Sequence, residues 1–292
     1  MKGLYEYTSA ALALKDVLPA DFEKTRCTTY EMLAQMRCDV YNDSEGKNPE
    51  FGCEKCKHRG YFMKLDADGF DVRVECECMR VARAAEIAEK SGMGALLSSK
   101  NFENYKTDDD WQKRALEDAK RYASKDTNTS LLVSGQNGSG KTHLCTAICA
   151  ELIRRGYTCR YISWTNFLKS FTAARFKEEV YTRMLQDLRE PQVLYIDDFL
   201  KTANKEKPSA QELRDAYEAI NQRYYGGKRT IITCEWMSDE LYALDSALGG
   251  RINEMTAESK IQIAFKEGRD YRLRKGKKNA VQRRSNKPEQ HD

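Results

Sequence analysis

No apolar run in this sequence approaches the ~20 residues that a helix needs to cross a bilayer. Its opening residues, Met1-Lys2-Gly3-Leu4-Tyr5-Glu6-Tyr7, are followed only by the short stretch Ala10–Leu14. A spanning helix is excluded on hydropathy, the signal-peptide pattern is missing, and a soluble, cytoplasmic protein is expected. There is no internal repeat and no large charge of one sign: 49 Lys and Arg against 45 Asp and Glu leave +4, too mild to name a partner. Length is not lacking, since 292 residues suffice for one α/β core and a smaller appendage. The ten cysteines do not read as a disulfide framework, which would belong to a shorter chain with a secretion signal. Cys145, Cys149 and Cys159 lie in or near an apolar helix-and-strand pattern, where cysteine acts as a small hydrophobe. Reduced thiols are expected.

Residues 1–50 read as helical and polar, with a turn-rich linker at Asn42–Pro49. A cysteine cluster follows, then a helix from Met79 to about Lys90, broken at Ser91-Gly92-Met93-Gly94. From Asn101 strand-like and helix-like segments alternate, the signature of a parallel sheet flanked by helices. The last stretch, 275–292, is basic and without apolar periodicity, and reads as a disordered tail.

Gly135-Gln136-Asn137-Gly138-Ser139-Gly140-Lys141-Thr142 fits G-x-x-x-x-G-K-[ST] without departure, with His143 next in line. The strand-like Ser130–Val133 precedes it and the helical pattern His143–Ile153 follows. Phosphate binding needs that order: glycines let backbone N–H groups turn inward, and the helix start adds partial positive charge. Lys141 would reach the β- and γ-phosphates, and the Thr142 hydroxyl would bind Mg²⁺. Further on, Val193-Leu194-Tyr195-Ile196 ends in Asp197-Asp198, a buried strand delivering two carboxylates at its C-terminal edge. Asp197 would hold the metal and Asp198 would orient or deprotonate the attacking water. A third β-rich run, Arg229–Glu235, would end beside Asp197. Arg251 sits on a helix far along the chain, as either a surface arginine or one that completes a neighbour's site.

Cys53-x2-Cys56-x19-Cys76-x-Cys78 offers four thiolates on two tight turns, the demand of a structural Zn²⁺. Between them, Gly60–Leu65 and Phe70–Val74 alternate around the turn Asp66-Ala67-Asp68-Gly69, giving a zinc-ribbon-like hairpin. His58 could displace one cysteine, and a metal-free cysteine surface is the plainer possibility.

At these residues the chain resembles the DnaC/IstB group of AAA+ ATPases, which includes bacterial and phage helicase loaders and transposition helper ATPases. The resemblance runs from about Phe102 to about Arg274. It rests on Phe102-Glu103-Asn104-Tyr105, the glycine loop, Ile196-Asp197-Asp198-Phe199, Thr230-Ile231-Ile232-Thr233 and Ala247–Met255. It implies an AAA+ P-loop NTPase fold binding ATP and Mg²⁺, with Arg251 as the arginine finger for an adjacent subunit. Glu235 stands where the family often has a sensor Asn, and an ionised Glu cannot donate to phosphate. The resemblance also implies single-stranded DNA contacts from the helical segment Asn166–Leu188, where Lys169, Arg175, Lys177 and Arg183 interleave with Phe167, Phe171 and Phe176. A core role for the Phe residues and a wet face for the cations is the alternative. Some helicase loaders carry an N-terminal zinc module, so residues 1–100 are expected to form a helical, zinc-binding domain that docks a partner, with DNA binding as the lesser alternative, and 101–274 the ATPase domain. The expected function is ATP-dependent loading of a hexameric replicative DNA helicase by a homo-oligomer on single-stranded DNA, with slow hydrolysis stimulated by assembly. A transposition helper, or a nucleotide-dependent scaffold with little hydrolysis, is the alternative.

Overall fold

The computed structural model describes residues 30–46, 52–202, 206–266 and 269–271. The reading of residues 1–29 and of the basic tail falls outside them. The chain divides into two compact units, Met1–Arg80 and Val81–Asp292. This boundary lies earlier than the sequence suggests, because Ala84, Ala88 and Met93 are fully buried in the same apolar cluster as Phe102 and Leu144.

In the smaller unit, helix α1 (Tyr30–Asp43) is followed by a 3₁₀ turn at Glu54–Cys56 and an antiparallel hairpin of β1 (Tyr61–Leu65) and β2 (Asp71–Glu75). Polar contacts fix the helix on the hairpin. Arg37 donates to both oxygens of Asp71 at 3.2 and 2.7 Å. The Asn42 amide donates to Met63 O at 2.8 Å and accepts from Met63 N at 3.0 Å. Asn42 and Asp43 therefore close a docked helix, where the sequence suggested the start of a linker. Helix α2 (Glu77–Lys90) follows the hairpin.

The larger unit adds α3 (Gly94–Ser99), α4 (Asp110–Ser124), β3 (Leu131–Gly135), α5 (Lys141–Arg154), β4 (Cys159–Ser163), α6 (Trp164–Ala174), α7 (Glu178–Arg189), β5 (Val193–Phe199), α8 (Ala210–Tyr224), β6 (Arg229–Cys234), α9 (Ser238–Leu244), α10 (Ser246–Met255) and β7 (Lys260–Ile263). The five strands β3–β7 pair in parallel, in the order β4-β5-β6-β3-β7. Strand periodicity sorts their side chains onto two faces. Leu131, Val133, Val193, Tyr195 and Ile231 enter one apolar cluster with Leu144, Ile148 and Leu152 of α5. Leu132, Leu194, Ile196 and Ile232 enter the other with Trp164 of α6 and Ala216, Ala219 and Ile220 of α8. Burial of each such Leu or Ile contributes roughly 1.5–3 kcal/mol, so the sheet is held from both sides. This is the α/β architecture of helices around a parallel sheet that the alternation from Asn101 predicts.

Two local devices set the helix starts. Ser209 accepts from Glu212 N at 3.2 Å while Glu212 accepts from Ser209 N at 2.8 Å, a capping box that opens α8. Asp245 accepts from Leu248 N at 2.8 Å and opens α10. The segment Asn166–Leu188 is not one helix: it breaks between Ala174 and Glu178, dividing α6 from α7.

Candidate functional site

The glycine loop connects β3 to α5, and its backbone is shaped by close approach. A Cβ on Gly135 (φ 142°) would lie 2.2 Å from Ile263 O, and one on Gly140 (φ 92°) would lie 2.9 Å from the Tyr105 ring, so neither position admits a larger residue without displacement. Residues Asn137–His143 line a cavity of about 350 Å³, together with Asp198 and Lys201. Ser99, Lys100 and Asn104–Lys106 line it as well. His143 donates through Nε2 to Asn101 O at 2.9 Å and meets the Tyr105 ring edge-on at 5.2 Å. Gln136 takes part through its side chain, whose Oε1 accepts from Lys266 N at 2.8 Å, and Tyr271 N donates to Gly138 O at 3.0 Å. Residues of the 266–271 segment thus hydrogen-bond to the loop, which no sequence pattern indicates.

Lys141 is buried, and its ammonium donates to the carbonyls of Gly135 and Gln136 at 2.8 and 2.9 Å. Burial pushes its pKa below the ordinary lysine range, against the opposing pull of Cys234, Glu235 and Asp198. Exchange of those two neutral carbonyl acceptors for charged phosphate oxygens is the favourable direction for a partly desolvated cation.

Asp197 is buried near the C-terminal end of β5 and is ringed by hydroxyls. Oδ1 accepts from Thr142 at 3.1 Å, Tyr195 at 2.7 Å and Thr233 at 2.6 Å, and Oδ2 from Tyr161 at 3.4 Å. Burial and the neighbouring charge of Asp197 push the Tyr161 and Tyr195 hydroxyls far above the usual tyrosine range, so both stay protonated donors. Thr142 and Asp197, the two residues expected to hold Mg²⁺, are brought together by the parallel sheet and the first turn of α5. An oxygen-only donor set of this kind suits a hard divalent cation. Tyr195 was legible in retrospect: two positions before Asp197 on a strand, it must share its face. Thr233 and Tyr161 required the register, in which β6 and β4 flank β5.

Asp198 adopts φ 56°, a left-handed conformation uncommon for a residue with a side chain. Its backbone N–H donates to Thr233 Oγ1 at 2.9 Å, and its carboxylate pairs with Lys201 at 2.7 Å. Glu235, at the end of the third β-rich run, is buried and lies 3.8 Å from the same Lys201 ammonium. Arg251 lies outside this cavity, half-exposed on α10, with its guanidinium 4.4 Å from the Tyr217 ring and 5.4 Å from that of Tyr224. On α6 and α7, Phe171 is fully buried and stacks between Phe167 and Tyr181. Arg175 is ion-paired with the buried Asp215. Phe176 is 94% exposed, and Lys169, Lys177 and Arg183 are exposed with it. Of the three Phe residues, only Phe176 is free to stack on a ligand.

The four cysteine sulfurs of Cys53, Cys56, Cys76 and Cys78 lie within 4.8 Å of one another. Four sulfurs at ~2.3 Å from a tetrahedral centre stand about 3.8 Å apart. The contacts Cys53–Cys76 at 3.9 Å and Cys56–Cys78 at 3.7 Å match that spacing and are far from a disulfide. The Gly60 N–H donates to Cys56 Sγ at 3.2 Å, as a thiolate acceptor requires. Although burial opposes it, this bond and the neighbouring sulfurs bring the Cys56 thiol down to about 7. His58 is not one of the converging groups. The donor set fits a structural Zn²⁺ with no position left open.

Comparison with known proteins covers most of the larger unit and reaches back into the end of the smaller one. The family model described as IstB-like ATP binding protein matches residues 71–252, more than half of the chain. The chain belongs to that family. Within it, phage-like element PBSX protein XkdC of Bacillus subtilis (strain 168) is 29% identical over 224 residues, 74% of this chain and 83% of that protein. The replicative helicase loader DnaC of Escherichia coli (strain K12) is 32% identical over 125 residues, 41% of this chain and 50% of the loader, so the match spans half of the loader's length. A crystal structure of the DnaC helicase loader aligns with TM-score 0.49 at 24% identity, covering 58% of this chain and 98% of that one. As an IstB-like protein, the chain is an ATP-binding P-loop protein of the AAA+ kind. No helix among the described residues is long and apolar enough to cross a membrane.

Proposed function

We propose that this IstB-like protein hydrolyses ATP in the cavity above β3 and β5 and uses the nucleotide state to load a hexameric replicative helicase onto single-stranded DNA. One observation carries the ATPase reading: Thr142 and Asp197 meet at 3.1 Å beside a cavity lined by Asn137–His143 and Asp198. The loop amides and Lys141 would bind the phosphates, and Thr142 with Asp197 would hold Mg²⁺, whose charge offsets that of the triphosphate. Asp198 would accept a proton from water as its oxygen attacks the γ-phosphorus. The bond between that phosphorus and the β–γ bridging oxygen breaks, and ADP and phosphate leave. Arg251, which does not line this cavity, would complete the site of an adjacent copy. Zn²⁺ on Cys53, Cys56, Cys76 and Cys78 would hold the hairpin of the smaller unit as a partner-docking module. Exposed Phe176 with Lys169, Lys177 and Arg183 would contact single-stranded DNA by stacking and backbone neutralisation.

The likeness to a replicative helicase loader supports the helicase as partner. Turnover should rise with single-stranded DNA in wild type and fall to background in Asp198→Asn. Negligible turnover in every condition would instead favour a nucleotide-dependent scaffold. Pull-downs against a hexameric helicase and a transposase test the partner, and capture of the transposase alone would make the chain a transposition helper.

A further inference from the structure

The pairing of Lys201 with two acidic residues has no counterpart in the loop-and-carboxylate site described above. The Lys201 ammonium sits 2.7 Å from Asp198 and 3.8 Å from Glu235, and Lys201 lines the same cavity as Asn137–His143. One oxygen of buried Glu235, Oε1, has no hydrogen-bond partner among the described residues. An ionised carboxylate at the end of β6 cannot donate to a phosphate. It can, however, hold a cation beside one. The strand end would thereby present a positive donor through Lys201 in place of a neutral amide. Four lysines line the cavity, Lys100, Lys106, Lys141 and Lys201, and of these Lys201 is the one paired with Asp198 and Glu235. Lys141 is buried under the loop carbonyls, whereas the Lys201 side chain is 33% exposed and hydrogen-bonded to the Asp198 carboxylate. A γ-phosphate carries more charge than one carboxylate and would compete with Asp198 for the Lys201 ammonium.

Resting on the reading of the cavity as the ATP site, we propose that Lys201 is the residue that distinguishes triphosphate from diphosphate, with Glu235 as its positioning residue. When a γ-phosphate is present Lys201 leaves Asp198 for it, and the freed carboxylate becomes available to water. With ADP the ion pair persists and Asp198 stays occupied. Sensing and release of the catalytic carboxylate are then one event.

The test is titration calorimetry of the full chain with Mg²⁺ and either ADP or a non-hydrolysable ATP analogue. In Lys201→Met the analogue should bind roughly tenfold to a hundredfold more weakly, as for a lost charge-assisted contact, while ADP affinity stays unchanged. Lys201→Arg should restore the preference in part, and Glu235→Gln should weaken analogue binding in the same direction but less. Unchanged preference in Lys201→Met, with or without faster turnover, would overturn the proposal and leave Lys201 as a plain lock on Asp198. Retained ADP binding in that variant shows that the ATP site itself is intact. Failure of wild type to bind either nucleotide would defeat the site reading and this proposal with it.

Discussion

In the hairpin of the smaller unit no strand residue is fully buried, whereas every residue of β3 and β6 in the larger unit is. The described core of the smaller unit amounts to Ala34, Cys38, Cys56 and Cys76, while both faces of the parallel sheet carry Leu, Ile, Val and aromatic side chains. One region buries few apolar side chains and brings four cysteine sulfurs together. The other excludes water on both sides and can afford a polar site at its strand ends. Local crosslinking and collective burial are therefore separable in one chain, and they should fail separately.

The largest expected effect comes from metal removal, since structural Zn²⁺ contributes apparent energies of about 10–16 kcal/mol in small modules. Treating the full chain with a strong chelator should expose the 53–78 hairpin to limited proteolysis while the larger unit keeps its thermal transition. Equal resistance before and after chelation would break the comparison. On the opposite side, Ile196→Ala in β5 should cost about 2–5 kcal/mol in denaturant unfolding and leave zinc content unchanged. Tyr195→Phe removes one of the three donors to Asp197 Oδ1. It is expected to cost roughly 1–3 kcal/mol and to raise the Mg²⁺ concentration needed for nucleotide binding. A stability loss without any change in Mg²⁺ dependence would reduce Tyr195 to packing. The smallest effect belongs to the Arg37–Asp71 pair. The bonds from Arg37 hold the Asp71 carboxyl below its usual range. Its contribution is therefore fully present above the ordinary carboxylate pKa and is lost as pH falls through the lower folded value. Asp71→Asn should remove that acid-limb dependence at a cost of about 1 kcal/mol or less, read by pH-dependent unfolding of the zinc-loaded chain.

Legibility followed how local each signal is. The glycine loop, the Val193–Asp198 strand and the hairpin between the cysteine pairs each lie within one short stretch, and β3, β5, β1 and β2 formed close to where the residues indicate. Which of the three Phe residues is core, and that Arg175 pairs with Asp215, was not legible, because only tertiary contacts distinguish Phe171 and Arg175 from Phe176 and Lys177. The hydroxyls around Asp197 come from four separate elements, and Lys201 meets Glu235 only because β5 and β6 are neighbours. The division at Arg80 was not legible for the same reason: Ala84 and Ala88 look like any helical alanines until the cluster they enter is known.

One consequence of the strand order concerns dimension. Because β6 stands between the loop-bearing β3 and the carboxylate-bearing β5, two strand spacings of about 4.8 Å each separate them. The sheet works there as a fixed caliper, opened to the width of a phosphate chain with its cation. No single side-chain exchange can reset that gap, so the size of what fits between amides and carboxylate is written into backbone pairing.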